Sequence, residues 1–360
     1  MHRRRVLAGA AGSALLMCAA VAQAQTFISG PGVSSIGPGS FTVFARQDDG
    51  RLYAVDQQQI YVPGGWGWPP IAFWQRTGWD VVPGGEDVNS DPDSTVDLWQ
   101  QWVVARKSDY GCWYTTRPVS SAGPGAWTGI WNPCDSNSPR AFYSGISAVA
   151  VNYPDYGISA IHLFGRGTDN GIYHNIIYQG AGWSFPSGWT LVPGPVTDTT
   201  HFVSPTLDFA GDPDAAVAMT SDGPQVTVCA QRAFWDVVKS AARYYCSTYS
   251  HSNDSWIGYW TRQGVAAGEN NTGTGATSSL DGRSYNLFFC LATSPLRWQR
   301  GPFGIAGLPN LHVSADPDAA TFTDLFRSNA PSQVVCTRDT ANQIQCSLWD
   351  GAAFGGWFAP

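Results

Sequence analysis

Apolar and polar residues alternate along most of this chain in short runs, and the runs end at Gly, Pro, Asn or Asp. One unit recurs: an apolar run that ends near an arginine, a polar turn, and a second run with aromatic residues. It reads VFARQDDGRLYAV at 43–55, VVARKSDYGCWYT at 103–115, LFGRGTDNGIYHN at 163–175 and VVCTRDTANQIQC at 334–346. Alternation with a period of two on either side of such a turn predicts a β-hairpin. We therefore expect a protein built from repeated hairpins.

The repeat is longer than one hairpin. Arg46, Arg106 and Arg166 are spaced 60 residues apart. Upstream of most hairpins stands a Pro-Asp word: SDPDSTV at 90, YPDYGIS at 153, GDPDAAV at 211 and ADPDAAT at 315. Downstream stands a Trp-rich segment, such as GAWTGIWNP at 125, GAGWSFPSGWTLVPG at 180 and DSWIGYW at 254. Four short antiparallel strands per unit, without helical periodicity between them, are typical of a β-propeller blade.

The predicted fold is an all-β propeller of four-stranded antiparallel blades in a single domain, residues 25–360. Six units can be counted, at 27–88, 89–144, 145–203, 204–274, 275–313 and 314–360. A seventh blade would require the first or the fourth unit to be split, and this alternative stays open. The N-terminal strand must close the ring against the last blade, because an open ring leaves an unpaired sheet edge.

The first 24 residues predict a secretory signal peptide. Three arginines precede an apolar run of about a dozen residues and an Ala-Gln-Ala cleavage site. A lipoprotein signal at Cys18 is a weaker reading, because Leu16-Met17 is a poor approach to a lipidated cysteine. We expect a secreted or periplasmic protein that does not insert into the membrane, since no later run approaches the roughly 20 apolar residues that a membrane helix needs.

Charge and composition narrow the class of partner. The chain has 17 Trp, 14 Tyr, 40 Gly and 24 Pro, which favours strands and turns over helices. Its formal charge is −7, and the loss of Arg3, Arg4 and Arg5 with the leader takes this to about −10. A negative chain without a basic cluster is a poor nucleic-acid binder. We expect no nucleic-acid partner and leave the oligomeric state open.

The seven cysteines that remain after the leader predict structural disulfides. Alignment of the hairpins places Cys229 opposite Cys246 and Cys336 opposite Cys346, and Cys112 then pairs with Cys134. Cys290 is left over, because Trp298 stands where its partner is expected. Metal binding is the rival interpretation, but no Cys-x-x-Cys pair or Cys/His cluster supports it.

The third unit resembles a known repeat. Its string FGRGTDNGIYH, followed by GWS and GWTLVPG, is similar to the repeat of secreted bacterial β-propeller lectins typified by the Photorhabdus lectin. It resembles tectonin and fungal fucose-lectin propellers more distantly. The resemblance implies carbohydrate binding, often of fucose or O-methylated sugars, in shallow pockets between blades. Most copies depart from the pattern, so the third unit is where we expect a site.

The predicted ligand-binding residues follow from that choice. They are Arg166, Thr168, Asp169, Asn170, Tyr173 and His174, with Trp183 and Trp189 as stacking surfaces. An indole stacks on the C–H face of a sugar, and Arg, Asp and Asn hydrogen-bond its hydroxyls. The expected partner is a glycan or glycoconjugate on a cell surface, with no cofactor, metal or catalytic residue.

The repeated arginines, tryptophans and aspartates also have structural interpretations. The repeated arginines, including Arg338, are explained at least as well as joints that hydrogen-bond strand-end carbonyls of a neighbouring blade. The Trp pairs 127/131, 183/189 and 256/260 are more typical of the core between blades than of a ligand platform. Paired aspartates around a proline suit Asx turns. Calcium is the rival there, but two carboxylates fall short of the six to eight oxygens that calcium takes.

Two other functions remain as alternatives. A propeller-fold glycoside hydrolase needs only two suitably spaced carboxylates, although the sialidase Asp-box, the G-x-S-x-G elbow and H-E-x-x-H are all missing from the sequence. A non-sugar interaction scaffold is suggested by the aromatic excursion GGWGWPPIAFWQRTGW at 64–79, with Trp66 and Trp68 at its tip.

Overall fold

The structure is a computed structural model, and it describes residues 25–63, 71–120, 123–135, 140–180, 183–193, 209–232, 243–262, 274–279, 283–289, 297–300, 303–308, 311, 313–349 and 352–360. The predicted leader, the excursion tip with Trp66 and Trp68, and Cys290 lie outside these residues. Regular structure in the described ranges is β-strand, apart from two 3₁₀ turns at Pro154–Tyr156 and Leu325–Arg327. Within them, no helix has the length and apolarity to cross a membrane.

The strands form six antiparallel sheets in the described part of the chain, and the first three sheets have five strands each. Sheet 1 contains β1 (Gly32–Gly37), β2 (Ser40–Arg46), β3 (Leu52–Val62), β4 (Ile71–Arg76) and β5 (Asp80–Val81). Sheet 2 contains β6 (Asp93–Val96), β7 (Gln100–Arg106), β8 (Cys112–Ser120), β9 (Gly123–Pro124) and β10 (Asn132–Pro133). Sheet 3 contains β11 (Phe142–Tyr153), β12 (Ile158–Gly167), β13 (Ile172–Gly180), β14 (Trp183–Pro186) and β15 (Thr190–Leu191).

The last three sheets complete the set. Sheet 4 contains β16 (Asp214–Thr220), β17 (Gly223–Arg232), β18 (Arg243–Ser250) and β19 (Ser255–Arg262). Sheet 5 contains β20 (Thr274–Ser278), β21 (Tyr285–Phe289), β22 (Arg297–Arg300) and β23 (Phe303–Gly307). Sheet 6 contains β24 (Asp318–Asp324), β25 (Ala330–Arg338) and β26 (Ile344–Leu348), and Phe358 forms an isolated bridge to Cys346 at its outer edge.

The six sheets are the blades of a propeller. The first strand of each sheet lies beside the first strands of two others, in the order β1, β6, β11, β16, β20, β24 and back to β1. These inner strands surround a central channel. The contact between β1 and β24 brings the two ends of the chain together, so the ring is closed. The all-β propeller prediction is confirmed, with one sheet in each of the six units counted from sequence.

Neighbouring blades are joined by a repeated backbone hydrogen bond. The residue that leads into a blade donates its N–H to the carbonyl at the hairpin tip of the preceding blade. Phe142 donates to Tyr110 over 2.9 Å, and Phe209 donates to Asn170 over 3.2 Å. Both tip residues adopt positive φ, 65° for Tyr110 and 63° for Asn170, which turns the carbonyl outward towards the next blade.

A tryptophan near the end of each of three blades packs on the lead-in phenylalanine of its own blade. The ring centroids are 4.7 Å apart for Trp79 and Phe27, and 4.5 Å for Trp189 and Phe142. Trp260 stands 4.7 Å from Phe209 in the same way. This recurrence supports the interpretation of these tryptophans as core.

Three disulfide bonds lie in the described part of the chain. They join Cys112 to Cys134, Cys229 to Cys246 and Cys336 to Cys346, which are the pairs predicted from the hairpin alignment. Cys229 is the direct cross-strand partner of Cys246, and Cys336 that of Cys346. Each of these two bridges therefore staples one hairpin.

The sequence-based prediction for one Pro-Asp segment is wrong. YPDYGIS does not lead into the third blade. Its residues Pro154–Tyr156 form the 3₁₀ turn between β11 and β12, on the opposite side of the propeller from the Asp-Pro-Asp words. The segment at Ser144 and Gly145 takes the expected place instead, since Gly145 donates its N–H to Asp212 of the next blade. A Pro-Asp dipeptide favours any tight turn, so it does not identify which turn of the blade it occupies.

Candidate functional site

The predicted site lies at the tip of the β12–β13 hairpin, on an exposed face of the third blade. Gly167 and Gly171 close the turn by an N–H···O bond of 2.8 Å. Thr168 and Asp169 are exposed at its tip. The guanidinium of Arg166 donates to the Asn170 side-chain oxygen over 2.9 Å, which holds these two partly exposed side chains together.

Asp169 is the centre of the polar cluster. It accepts a hydrogen bond of 2.6 Å from the Tyr173 hydroxyl and forms an ion pair of 3.2 Å with Arg140. The Arg140 guanidinium also lies 3.2 Å from the centre of the Tyr173 ring. Partial burial acts to raise the pKa of Asp169, but the bonds from Tyr173 and Gly171 and the charge of Arg140 together lower it. The tip therefore presents an ionised carboxylate next to a fixed guanidinium.

The aromatic members of the predicted site are not all at the tip. His174 is 4% exposed and points to the other side of β13, where it stacks on Phe164 at 4.8 Å. Its Nε2 lies 2.9 Å from Nδ1 of the buried His162. Trp189 packs on Phe142 and is part of the repeated joint described above. The side chain of Trp183 lies outside what the structure describes.

Sequence reasoning missed Arg140 and Leu191. Arg140 lies 29 residues before Asp169 and reaches the tip only because the lead-in segment folds beside the hairpin. Leu191 pairs with Tyr173 through β15 and is 55% exposed. Leu191 could have been found from the sequence, because it stands two residues after Trp189 in GWTLVPG, the segment that carries the resemblance. No feature of the sequence pointed to Arg140.

The same acid-to-aromatic bond recurs in the first two blades. The Tyr53 hydroxyl donates to Asp49 over 2.8 Å, and the Trp113 indole N–H donates to Asp109 over 3.0 Å. In each case the other carboxylate oxygen caps the turn from within, as Asp49 does by accepting from the Arg51 N–H. The bond is thus a feature of the repeat, and its surroundings decide what each copy can bind.

The repeated arginines act largely as joints. Arg338 donates to the carbonyls of Phe27 and Ser314 over 3.0 and 3.2 Å. Arg106 donates to the carbonyl of Asn89. All three bonds tie the end of a blade's second strand to a lead-in segment. For these two residues the structure favours the structural interpretation over a ligand contact.

Three of the Pro-Asp segments read Asp-Pro-Asp, at 91–93, 212–214 and 316–318. Their aspartates converge on the propeller axis. The second aspartate of each word accepts the N–H of the next blade's inner strand: Asp93 from Ala148 over 2.8 Å, Asp214 from Ala276, and Asp318 from Val33. Burial raises the pKa of Asp93 to about 6 and the pKa values of Asp214 and Asp318 well above the ordinary range. These carboxyls therefore link blade 2 to blade 3, blade 4 to blade 5, and blade 6 to blade 1.

The first aspartate of each Asp-Pro-Asp segment lies at the same end of the propeller axis as the second. One carboxylate oxygen from each of Asp91, Asp212 and Asp316 lies within 4.8 Å of the others. Burial, and next the charge of Asp212, raise the pKa of Asp91 to about 6, while Arg338 and Arg46 act to lower it. The adjoining cavity has a volume of about 40 Å³, which holds water but not a sugar ring.

Comparisons with known proteins identify the fold. No family model matches the chain, and no curated protein matches it. Among solved structures, AofleA from Arthrobotrys oligospora is 11% identical, with 94% of this chain and 88% of that chain covered and a TM-score of 0.59. A variant of the Aleuria aurantia lectin in complex with Fucα1-6GlcNAc is 12% identical over 93% and 96% of the two chains, with a TM-score of 0.54. A lectin from Burkholderia pseudomallei is 14% identical over 93% and 99%, with a TM-score of 0.51.

Proposed function

We propose that this protein is an exported lectin that binds glycans at the seams and hairpin tips of its propeller. The observation that carries the proposal is the tip of the third blade, where exposed Asp169 is held between Tyr173 and Arg140. The propeller shared with two lectins supports it. The similarity of the third unit to the repeat of Photorhabdus-type lectins supports it as well.

The chemistry of the tip suits a sugar. Neighbouring hydroxyls of a pyranose both donate and accept hydrogen bonds, so a carboxylate beside a guanidinium can engage two of them at once. Asp169 accepts from one hydroxyl, and Arg140 or Arg166 donates to the next. Leu191, 55% exposed over Gly171, offers an apolar surface for the C–H face. We therefore expect Thr168 and Asn170 to line the rim of the site.

The sugar class is part of the proposal. Fucosylated glycans are the first candidates, because the Aleuria aurantia lectin was solved with Fucα1-6GlcNAc. A single shallow contact of this kind binds in the millimolar range, about −4 kcal/mol. Repetition around a ring raises the apparent affinity for a multivalent glycan surface without any new contact. This gives the repeat a functional use beyond closing the ring.

We expect binding without turnover. At the axis, the first aspartates of the Asp-Pro-Asp segments adjoin a cavity of about 40 Å³. The second aspartates also line the central channel of about 190 Å³, but each already accepts a backbone N–H from the next blade. At the third tip, Asp169 has a guanidinium as its partner rather than a second carboxylate. General acid–base hydrolysis of a glycoside requires two carboxyl groups on either side of the bond.

The test is retention of the mature chain on immobilised Fucα1-6GlcNAc. Asp169→Asn keeps one oxygen, which can still accept from the Gly171 N–H of the turn, and places an NH₂ group towards the Tyr173 hydroxyl. It removes the charge that orders Arg140, so we expect retention to fall sharply. Asp339→Asn is the matched control, because Asp339 caps the same turn in the sixth blade with Gln345 in place of the aromatic partner. Equal retention of the two variants would contradict the proposed site.

Trp189, which the sequence predicts as a stacking surface, is not a suitable position for this test. The ring packs on Phe142 in the joint of the third blade, so its removal alters folding as well as binding.

A further inference from the structure

The seam between blades 1 and 2 departs from the repeated joint. Phe27 and Phe142 each pair with the residue that follows the repeated arginine of their own blade. In blade 2 the corresponding residue is Val88, and its partner is Lys107. The smaller side chain leaves no phenyl ring for the tryptophan of this blade to cover.

That tryptophan is Trp131, which precedes β10 as Trp189 precedes β15. With no phenyl ring beneath it, Trp131 lies 4.9 Å from the ammonium of Lys107. Trp113 lies 5.3 Å from the same ammonium. We call these three residues the Lys107 platform. Both indoles are partly exposed, so part of each apolar ring faces solvent.

The indole N–H groups of the platform are already used within the protein. Trp131 donates to the carbonyl of Pro83 over 2.9 Å, and Trp113 donates to Asp109. Gly84, at φ 74°, admits the Trp131 ring, because a Cβ there would stand 2.8 Å from it. Each ring is therefore held in one orientation, which lowers the entropy cost of stacking a ligand on its exposed part.

Polar groups stand beside the rings. The Lys107 ammonium has three protons, of which Asp87 accepts one over 2.8 Å and the Gly84 carbonyl another over 3.2 Å. The side chain of Asp87 is 51% exposed, and Asp109 is exposed as well. Lys107, whose side chain is 12% exposed, thus lies between two partly exposed indoles and beside two exposed carboxylates.

We propose that the Lys107 platform is a second saccharide site, for a neutral pyranose that stacks on Trp113 or Trp131. Its hydroxyls accept from Lys107 and donate to Asp87 or Asp109. The inference rests on the proposed function but names a different seam from the third-blade tip. At the third-blade tip, Trp189 packs on Phe142 and the Arg140 guanidinium lies 3.2 Å from the centre of the Tyr173 ring. At this seam the Lys107 ammonium lies farther from the rings, 4.9 Å from Trp131 and 5.3 Å from Trp113, and both indoles stay partly exposed.

Lysine acetylation provides a direct readout of this site. The mature chain has only two lysines, Lys107 and Lys239, so mass spectrometry after brief treatment with an acetylating reagent distinguishes them. Saturating Fucα1-6GlcNAc should slow acetylation of Lys107 about tenfold, the factor expected when nine-tenths of the sites are occupied. Acetylation of Lys239 should be unchanged.

Variants separate stacking from a general effect on the fold. Trp113→Ala should abolish the protection of Lys107, and Trp113→Phe should restore much of it, because a phenyl ring still stacks. Tyr53→Ala is the matched control, since Tyr53 makes the same bond to its aspartate in blade 1, and among the residues that the structure describes no lysine or second indole contacts it. It should leave the protection intact.

The outcomes distinguish the two proposals. If the wild-type protein is retained on the sugar matrix but Lys107 is not protected, the platform is not a site and the proposed function stands. Protection that persists in Trp113→Ala likewise overturns the platform. If the folded protein shows neither retention nor protection, the proposed function fails and this site fails with it.

Discussion

The backbone N–H of Phe27 donates to the carbonyl of Asn342 over 2.9 Å and thereby joins the first blade to the last. Asn342 is the tip residue of the β25–β26 hairpin, with φ 60°. The bond is the same joint that Phe142 makes with Tyr110 and Phe209 makes with Asn170. The ring therefore closes through its ordinary seam geometry, with no special strand exchange at this joint.

Phe27→Ala should weaken this closure. The side chain is 2% exposed and packs on Trp79, so its removal should lower the free energy of unfolding by about 3 to 5 kcal/mol. Denaturant unfolding measures the change. Tyr156→Ala is the control, since Tyr156 is 78% exposed and should stay within about 0.5 kcal/mol of wild type. Equal stability of the two variants would show that the seam does not hold the ring.

The repeat allowed the fold and the disulfides to be predicted because both depend on local register. Cys336 and Cys346 occupy equivalent places in one hairpin, and antiparallel pairing with a period of two puts them opposite each other. The same logic placed Thr168 and Asp169 at an exposed tip. These inferences needed no knowledge of what lies across a seam.

Contacts across a seam could not be read in that way. His174 alternates with Tyr173 along β13 and faces blade 4, where Tyr249 and Trp256 pack against it. Arg140 meets Asp169 only after the lead-in segment has folded. YPDYGIS carries the same dipeptide as the axial words but serves a different turn. Local patterns fix the hairpins, while the partners of their faces depend on tertiary packing.

A partly buried ion pair across the seam of blades 1 and 2 should be strongly coupled. Arg117, 5% exposed, donates to Asp56 over 3.0 Å and to Gln101 and Thr42. Arg117→Ala removes the counter-charge of Asp56, which then keeps the bond from the Thr42 hydroxyl, and should cost about 3 to 5 kcal/mol. Adding Asp56→Asn should cost much less in that background than in wild type. A double-mutant cycle by denaturant unfolding measures the coupling, and a coupling energy near zero would contradict the pair.

Loss of the Cys336–Cys346 bridge should destabilise the last blade. The bridge spans a sequence separation of 10, for which the chain-entropy model gives about 2.7 kcal/mol. The Cys336→Ala/Cys346→Ala protein should unfold at lower denaturant than wild type by that amount. The experiment is run with and without reductant. If reductant lowers the stability of this variant as much as that of wild type, the bridge contributes nothing.

Acid should destabilise the seam between blades 3 and 4. Burial lowers the pKa of His174 to about 3, so in the folded protein it stays neutral while the unfolded chain takes up a proton below pH 6.5. Its contribution to stability is therefore full above pH 6.5 and is lost as pH falls towards 3, at about 1.4 kcal/mol per pH unit. The axial carboxyls act in the opposite sense: the raised pKa of Asp91, about 6, gives a contribution that is full below 3.8 and lost as pH rises through 6.

Because the two effects oppose each other, the test is a difference between proteins. His174→Gln keeps a polar group facing His162 but does not titrate. Between pH 7 and pH 5, wild type should lose about 2 kcal/mol more unfolding free energy than His174→Gln. Denaturant unfolding at the two pH values gives both numbers. Parallel losses in the two proteins would show that His174 titrates normally in the folded state.

A glycan-array screen of residues 25–360, followed by mass spectrometry of the bound glycans, tests the central claim most directly. We predict retention on a defined subset that includes fucosylated glycans, with every glycan recovered at its original mass. A folded protein that gives no signal above background, or glycans recovered in shortened form, would contradict the claim that this propeller is a lectin.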